Sequence, residues 1–329
     1  MAALLAGPVS AQKAETIAFD LSLLDDWITA AESFFVREHF PAPKVSQYGW
    51  KLRVGGAVAA PFEIGYDDLQ KAAKRTLPVT LECAENPAGG GLVSHGEWSG
   101  ADLVSLLDQA RPSPDAKYVR LVGADGYSRS IPLAKARHDD TLVAYGMNGA
   151  RLPDTHGFPA RAVIPGWYGM DSVKWLERIE VLVDEDGSRF MTGAYVRQVR
   201  SLLAGVRPAG TVSAMNVKSV FSRPVDGAIL TGRRFVIRGA AWAGENRVRS
   251  VEVSTDAGKT WSAGHLSTEA LRYAWVHWTH EWRIPGPGSY ELLVRATDDG
   301  DRTQPARRPP ERLDDYEHDT YDRTRVMVA

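Results

Sequence analysis

The chain has 329 residues, with 39 Lys and Arg against 41 Asp and Glu for a formal net charge of −2. That balance implies neither a nucleic-acid-binding stripe nor an acidic tail, and the length suffices for two domains with sizeable cores. A single cysteine excludes an intrachain disulfide and any four-cysteine zinc or iron–sulfur site made by this chain alone, and no apolar run approaches the roughly 18 residues that would span a membrane.

The chain opens on MAALLAGPVSAQKAE, a short apolar piece with Val9-Ser10-Ala11 before Gln12. Residues 1–30 therefore read as a terminal segment carrying the remnant of a secretion signal without its positive start, which predicts a periplasmic protein. The plain alternative is an unstructured terminus on a cytoplasmic one. Leu21 to Ala30 predicts a short helix. From Phe34 to Val58 the chain reads as extended, because Pro41 and Pro43 forbid a helix and Trp50, Leu52 and Val54 alternate like a strand. Arg37 and His39, two apart on that extended piece, point the same way. Tyr66 to Lys74 predicts a helix.

Val79, Leu81 and Cys83 alternate with Thr80 and Glu82, so a short strand delivers the only thiol to its end. AENPAGGG follows, a run of turn formers that exposes backbone. A lone cysteine there has two readings: a small buried hydrophobe, or a thiolate ligand for a soft metal in polar, cationic surroundings. Next come a helix at Leu103–Ala110, a strand at Tyr118–Val122 and a tight turn at Ala124-Asp125-Gly126, where Asp125 is either a turn former or a ligand contact. The block His156–Asp184 sets His156, Arg161 and Lys174 among apolar strand residues and glycine turns. Arg161 leads into the apolar run Ala162-Val163-Ile164, and a buried cation there needs an anionic partner, which suits a phosphorylated ligand.

From about Asn216 the character changes to short alternating strands separated by Gly, Pro and Asp turns. This spacing predicts an all-β sandwich of the immunoglobulin type, held by packing alone, with the boundary near GVRPAG at residues 205–215. The C-terminal segment ends in a last strand, Arg325–Val328.

Four blocks in this order resemble the sulfite oxidase family of molybdenum enzymes: FFVREHFP, TLECAENP, AYGMNGARLPDTHGFPARAVIPGWYGMDSVKW, and the final domain with SRPVDG, GAAWAG, VEVSTDAGKTW and RATDDG. The resemblance covers roughly Phe34 to Val328. It implies an α+β fold, with a molybdopterin-binding catalytic domain at 31–210 followed by an immunoglobulin-like dimerisation domain at 211–329, and a homodimer. It makes Cys83 the protein thiolate on molybdenum, with molybdopterin supplying the other sulfurs. Arg37, His39, Asp125, His156, Arg161, Ser172, Val173 and Lys174 would hold the pterin and its phosphate, and Tyr195 would stand beside the metal. The implied reaction is oxygen-atom transfer at a molybdenum-oxo centre on a small oxyanion such as sulfite. Without a haem-attachment Cys-x-x-Cys-His, electrons pass to an external acceptor such as a c-type cytochrome.

Two departures bear on the substrate. The family follows Cys-Ala-Gly-Asn with arginines, one of which grips the oxyanion; here Cys83-Ala84-Glu85-Asn86-Pro87-Ala88 carries none. Its Arg-Asn-His has become Arg37-Glu38-His39. An extra acid at Glu85 beside a lost cation repels sulfite, which leaves open a different oxyanion, a sulfoxide-type substrate, or a subunit that binds the cofactor without turning over.

Overall fold

A computed structural model describes residues 14–72, 74–201 and 205–329, so most of the expected secretion-signal remnant lies outside the described residues. The described chain is mainly β, and its longest helix is the eight-residue Leu103–Ala110. The helical share is thus smaller than an α+β reading predicts. Leu21–Ala30 is not a helix. Only Leu21–Leu23 makes a 3₁₀ turn, capped by the Asp20 carboxylate, which takes the Ser22 N–H at 2.9 Å. The helix predicted at Tyr66–Lys74 stops at Lys71, where the strand Lys74–Glu82 begins shortly after.

Two sheets build the first part of the molecule. In one, Lys74–Glu82 pairs antiparallel with Val93–Asp102, which pairs with Leu142–Met147; that strand also carries Arg161–Val163 on its other side. In the other, the order runs Phe62–Gly65, Lys51–Gly56, Leu176–Leu182, Tyr118–Gly123 and Ser128–Pro132. Leu52 and Val54 alternate into the core with Arg53 outward, as the two-residue period demands. Cys83 follows the last residue of its strand.

Two further sheets pack over a second core of Val217, Phe221, Ile237, Val251, Trp278, Leu292 and Val326. One runs Lys218–Arg223, Arg234–Trp242, Val276–Arg283 and His265–Leu266; the other runs Ile229–Leu230, Asp322–Val328, Gly288–Asp298, Val248–Ser254 and Ser262–Ala263. GVRPAG, where the sequence puts the domain boundary, forms one strand of a hairpin between Val196–Ser201 and Gly205–Thr211. Trp242, Tyr273 and Trp275 belong to the larger first core, so the two parts share a continuous apolar seam.

Candidate active site

The cavity at the end of the cysteine strand is lined by Arg37, His39, Cys83, Asp125, His156, Arg161, Ser172, Val173, Lys174 and Tyr195, which are all the site candidates of the sequence reading. They come from five separate segments. The Val36–Arg37 strand and its continuation bring Arg37 and His39, the strand ending at Glu82 brings Cys83, and the Asp125 turn and the 156–174 block supply the opposite wall. Gly157, at φ +105°, lets that block fold tightly: a Cβ there would meet the Lys174 Cα at 3.0 Å and the Arg161 Cβ at 3.1 Å. Further lining residues that the sequence reading gave no site role include Glu38, Tyr127 and Trp175. Glu38 was legible as a departure from Arg-Asn-His, but nothing local signals which cation it meets.

Charge is distributed unevenly around the wall. Arg161 is buried, and its guanidinium donates only to carbonyls, those of Ala162 at 3.3 Å, His156 at 3.1 Å and Ser172 at 2.8 Å. Among the described residues no carboxylate pairs with it, and burial pushes its pKa down to about 9. Lys174 lies on the same wall, donating to the Thr155 carbonyl at 2.9 Å and to Glu38 at 3.3 Å. Burial, opposed by Glu38, holds it down to about 8. His156 donates from Nε2 to the Ala31 carbonyl at 2.9 Å, which leaves Nδ1 unprotonated; burial keeps its pKa down at about 4. Burial raises the Asp125 carboxyl, whose Oδ1 accepts the Tyr127 N–H at 3.0 Å. Ser172 spends its hydroxyl on the Ile164 N–H at 3.0 Å, and Val173 accepts the Ala162 N–H at 2.8 Å, so these two shape the wall through backbone.

The other side of the cavity holds the thiol. Cys83 is 5% exposed, and burial pushes its pKa up to about 11. A thiol so placed ionises only against a strong positive charge, as a bound metal provides. Tyr195, in the left-handed region at φ +55°, lies 2.5 Å from His39 Nε2 through its hydroxyl. Burial and the Arg37, Lys174 and Arg129 cations hold His39 near 3, so the imidazole is neutral and can accept the tyrosine proton. The His39 ring stacks on Tyr127 with centroids 4.3 Å apart. Arg37 is engaged: Nε and Nη2 donate to the same Glu85 oxygen at 3.2 and 3.0 Å.

A soft thiol facing one uncompensated buried cation and a second weakly paired one fits a ligand that combines a soft metal with a phosphate. Comparison with known proteins agrees. Residues 39–190 match the family described as "Oxidoreductase molybdopterin binding domain", and residues 210–327 match "Mo-co oxidoreductase dimerisation domain". Sulfite oxidase of Gallus gallus is 31% identical over 317 residues, covering 86% of this chain and 69% of the relative. The chain belongs to the sulfite oxidase family of molybdopterin oxidoreductases. Membership brings Mo-molybdopterin as the cofactor.

The family spans more than one activity. Mitochondrial sulfite oxidase of Mus musculus is 32% identical over 317 residues, and the chain spans only 58% of its length. A nitrate reductase of Ulva prolifera is also 32% identical, with 38% of it covered. Among solved structures, the sulfane dehydrogenase SoxCD of Paracoccus pantotrophus superposes with a TM-score of 0.86 at 28% identity, over 97% of this chain and 85% of that one. The matched catalytic region begins at His39 and ends before Tyr195, so neither Arg37 nor Tyr195 falls inside it.

Proposed function

We propose that the protein is a molybdopterin-dependent oxidoreductase of the sulfite oxidase type, with Cys83 bonding molybdenum and a small reduced-sulfur compound as substrate. The observation that carries this is the pairing, in one cavity, of the only thiol with the uncompensated Arg161 cation. When bound, the molybdenum centre supplies two-electron oxygen-atom transfer, its electrons leaving one at a time to an external acceptor, proposed to be a c-type cytochrome. Arg161 and Lys174 hold the phosphate by charge-assisted hydrogen bonds. Asp125, His156 and the backbone of Ser172 and Val173 orient the pterin, with Arg37 and His39 closing over it. The Tyr195 hydroxyl donates a hydrogen bond to neutral His39 at the mouth, and both keep bulk water from the thiol side.

The division at 31–210 and 211–329 and homodimer formation through the second part belong to the same reading. So do an immunoglobulin-type sandwich in that part and export to the periplasm. A mass and light-scattering measurement on protein recovered from the periplasm tests the last points together.

A second reading concerns the substrate and rests on one contact. Arg37, which closes over the pterin, already faces Glu85, and no arginine follows Asn86 to grip an oxyanion. A sulfur substrate with less negative charge than sulfite, such as a sulfane or a sulfoxide, suits that mouth better, and the structural likeness to a sulfane dehydrogenase supports it. The experiment is molybdenum per chain in protein made in a cofactor-competent host, followed by turnover of sulfite, sulfane and sulfoxide compounds with an artificial redox partner. Near one molybdenum per chain with turnover of a sulfur compound, abolished in Cys83→Ser, is the expected result. Metal with no turnover on any of them favours a cofactor-binding subunit, and no molybdenum in folded protein overturns the reading.

A further inference from the structure

The strand that ends at Cys83 presents alternate residues to opposite sides, and the two sides meet different parts of the molecule. Leu81 and Cys83 face the cavity. Thr80, Glu82, Ala84 and Asn86 are all taken up by residues beyond 210. Thr80 donates its N–H to the Tyr273 carbonyl at 2.7 Å, and its hydroxyl accepts the Trp275 N–H at 2.8 Å. Glu82, 1% exposed, accepts Lys218 Nζ at 2.7 Å on one oxygen and Trp242 Nε1 at 2.7 Å on the other. The Ala84 carbonyl accepts the Glu317 N–H at 2.8 Å. Lys218 also donates to the Asn86 carbonyl at 2.9 Å, while the Asn86 side chain donates to Glu82 at 3.0 Å.

From these contacts we infer that the second part of the chain positions the thiol. Lys218 and Trp242 act as positioning residues that hold Glu82 and the 83–86 turn, and so fix where Cys83 points. A Lys–Glu pair that is 2% and 1% exposed is a poor source of stability, since desolvation offsets much of its attraction. Its geometry is what is distinctive: one ammonium bridges the residue before the cysteine and the residue three after it. Each site residue of the cavity lies before residue 196, yet the thiol side of the site is incomplete without Lys218 and Trp242. The local consequence does not depend on the cofactor; the further consequence, that a displaced thiol loses its metal, rests on the proposed function.

Because Cys83 is the only cysteine, the rate at which the full-length cofactor-free chain reacts with iodoacetamide reports this one position. Lys218→Met, Glu82→Gln, the double variant and the milder Trp242→Phe are compared with Ile237→Ala, which cuts into the distant core of the second part. The thermal midpoint is measured beside the labelling rate. The double variant removes both charges and should recover most of the midpoint lost by either single change, yet label about tenfold faster than wild type or more. Trp242→Phe should label faster by a smaller factor, and Ile237→Ala should lose midpoint while its thiol stays slow. Labelling that simply follows the midpoint across all variants would make the contacts structural only and overturn the inference. Molybdenum content of the same variants, made in a cofactor-competent host, separates the two readings. A loosened thiol in variants of a wild type that itself carries no molybdenum keeps the positioning role and removes the proposed function.

Discussion

Two buried arginines in this protein are treated in opposite ways. Arg129 is 1% exposed and meets the carboxylate of Asp171, itself 0% exposed, at 2.7 Å, with the Phe190 and Val212 carbonyls taking its other N–H groups. Arg161, hardly more exposed, donates to carbonyls alone and lies over the Trp98 ring at 4.9 Å, with no carboxylate partner among the described residues. A folded chain that leaves a guanidinium without a counter-charge pays for it in stability. The contrast therefore separates a cation that holds the molecule together from one that awaits an anion, and it does so on geometry independent of family likeness.

The largest way to break this contrast is at Arg129. Arg129→Met strands Asp171 in the core and should cost about 3–5 kcal/mol in urea unfolding, whether or not cofactor is bound. Arg161→Met should behave in reverse. Cofactor-free protein should be as stable as wild type or more so, while the molybdenum retained after dialysis drops by about tenfold or more, roughly the worth of one charge-assisted contact. Equal destabilisation by the two substitutions would show that Arg161 is structural after all.

Lys174 sharpens the contrast through pH. Burial lowers its pKa from 10.5 to about 8, so between those values the unfolded chain binds more protons than the folded one. Stability of the cofactor-free protein should therefore rise with pH from about 8 toward 10.5 at this group and should be lost as pH falls through that window. An anion beside Lys174 raises its pKa again, so loaded protein should show a flatter profile. The buried histidines act lower on the scale. Burial holds His39 and His95 near 3 and His156 near 4, so stability should fall as pH drops below 6.5 toward those values; His95→Phe, well away from the cavity wall, should flatten that slope with cofactor present or absent. The smallest expected effect is at the mouth. Glu85→Gln frees Arg37 and should lower the KM for sulfite by about threefold to tenfold with little change in kcat, as expected when a repulsive charge is removed from a partly exposed pair.

Much of the site was legible residue by residue. The alternation Val79, Leu81, Cys83 followed by turn formers places the thiol at a strand end whatever the rest of the chain does, because a strand's side chains repeat every two residues and AENPAGGG cannot extend it. Arg161 before an apolar run already announced a buried cation. The Leu21–Ala30 helix ends after one capped turn, where Leu24 leaves helical backbone geometry at φ −76° and ψ 77°. The strand at GVRPAG was not legible, because glycine and proline mark breaks along a sequence, yet this segment finds a hairpin partner in Val196–Ser201, and propensity yields to pairing of that kind.

What the sequence determined by itself is the chemistry available: one thiol, two cations among apolar strands, and acids at Glu38 and Glu85 where the family carries neutral residues. What only the tertiary structure decided is which charges cancel. Glu38 pairs with Lys174 across 136 positions, Glu85 pairs with Arg37 across 48, Lys218 reaches Glu82 across 136, and Arg161 is left over. Periodicity and turn chemistry act over a few residues and can be read along the chain. Compensation of buried charge acts over a few ångströms between distant segments, and it exists only once the sheets have packed.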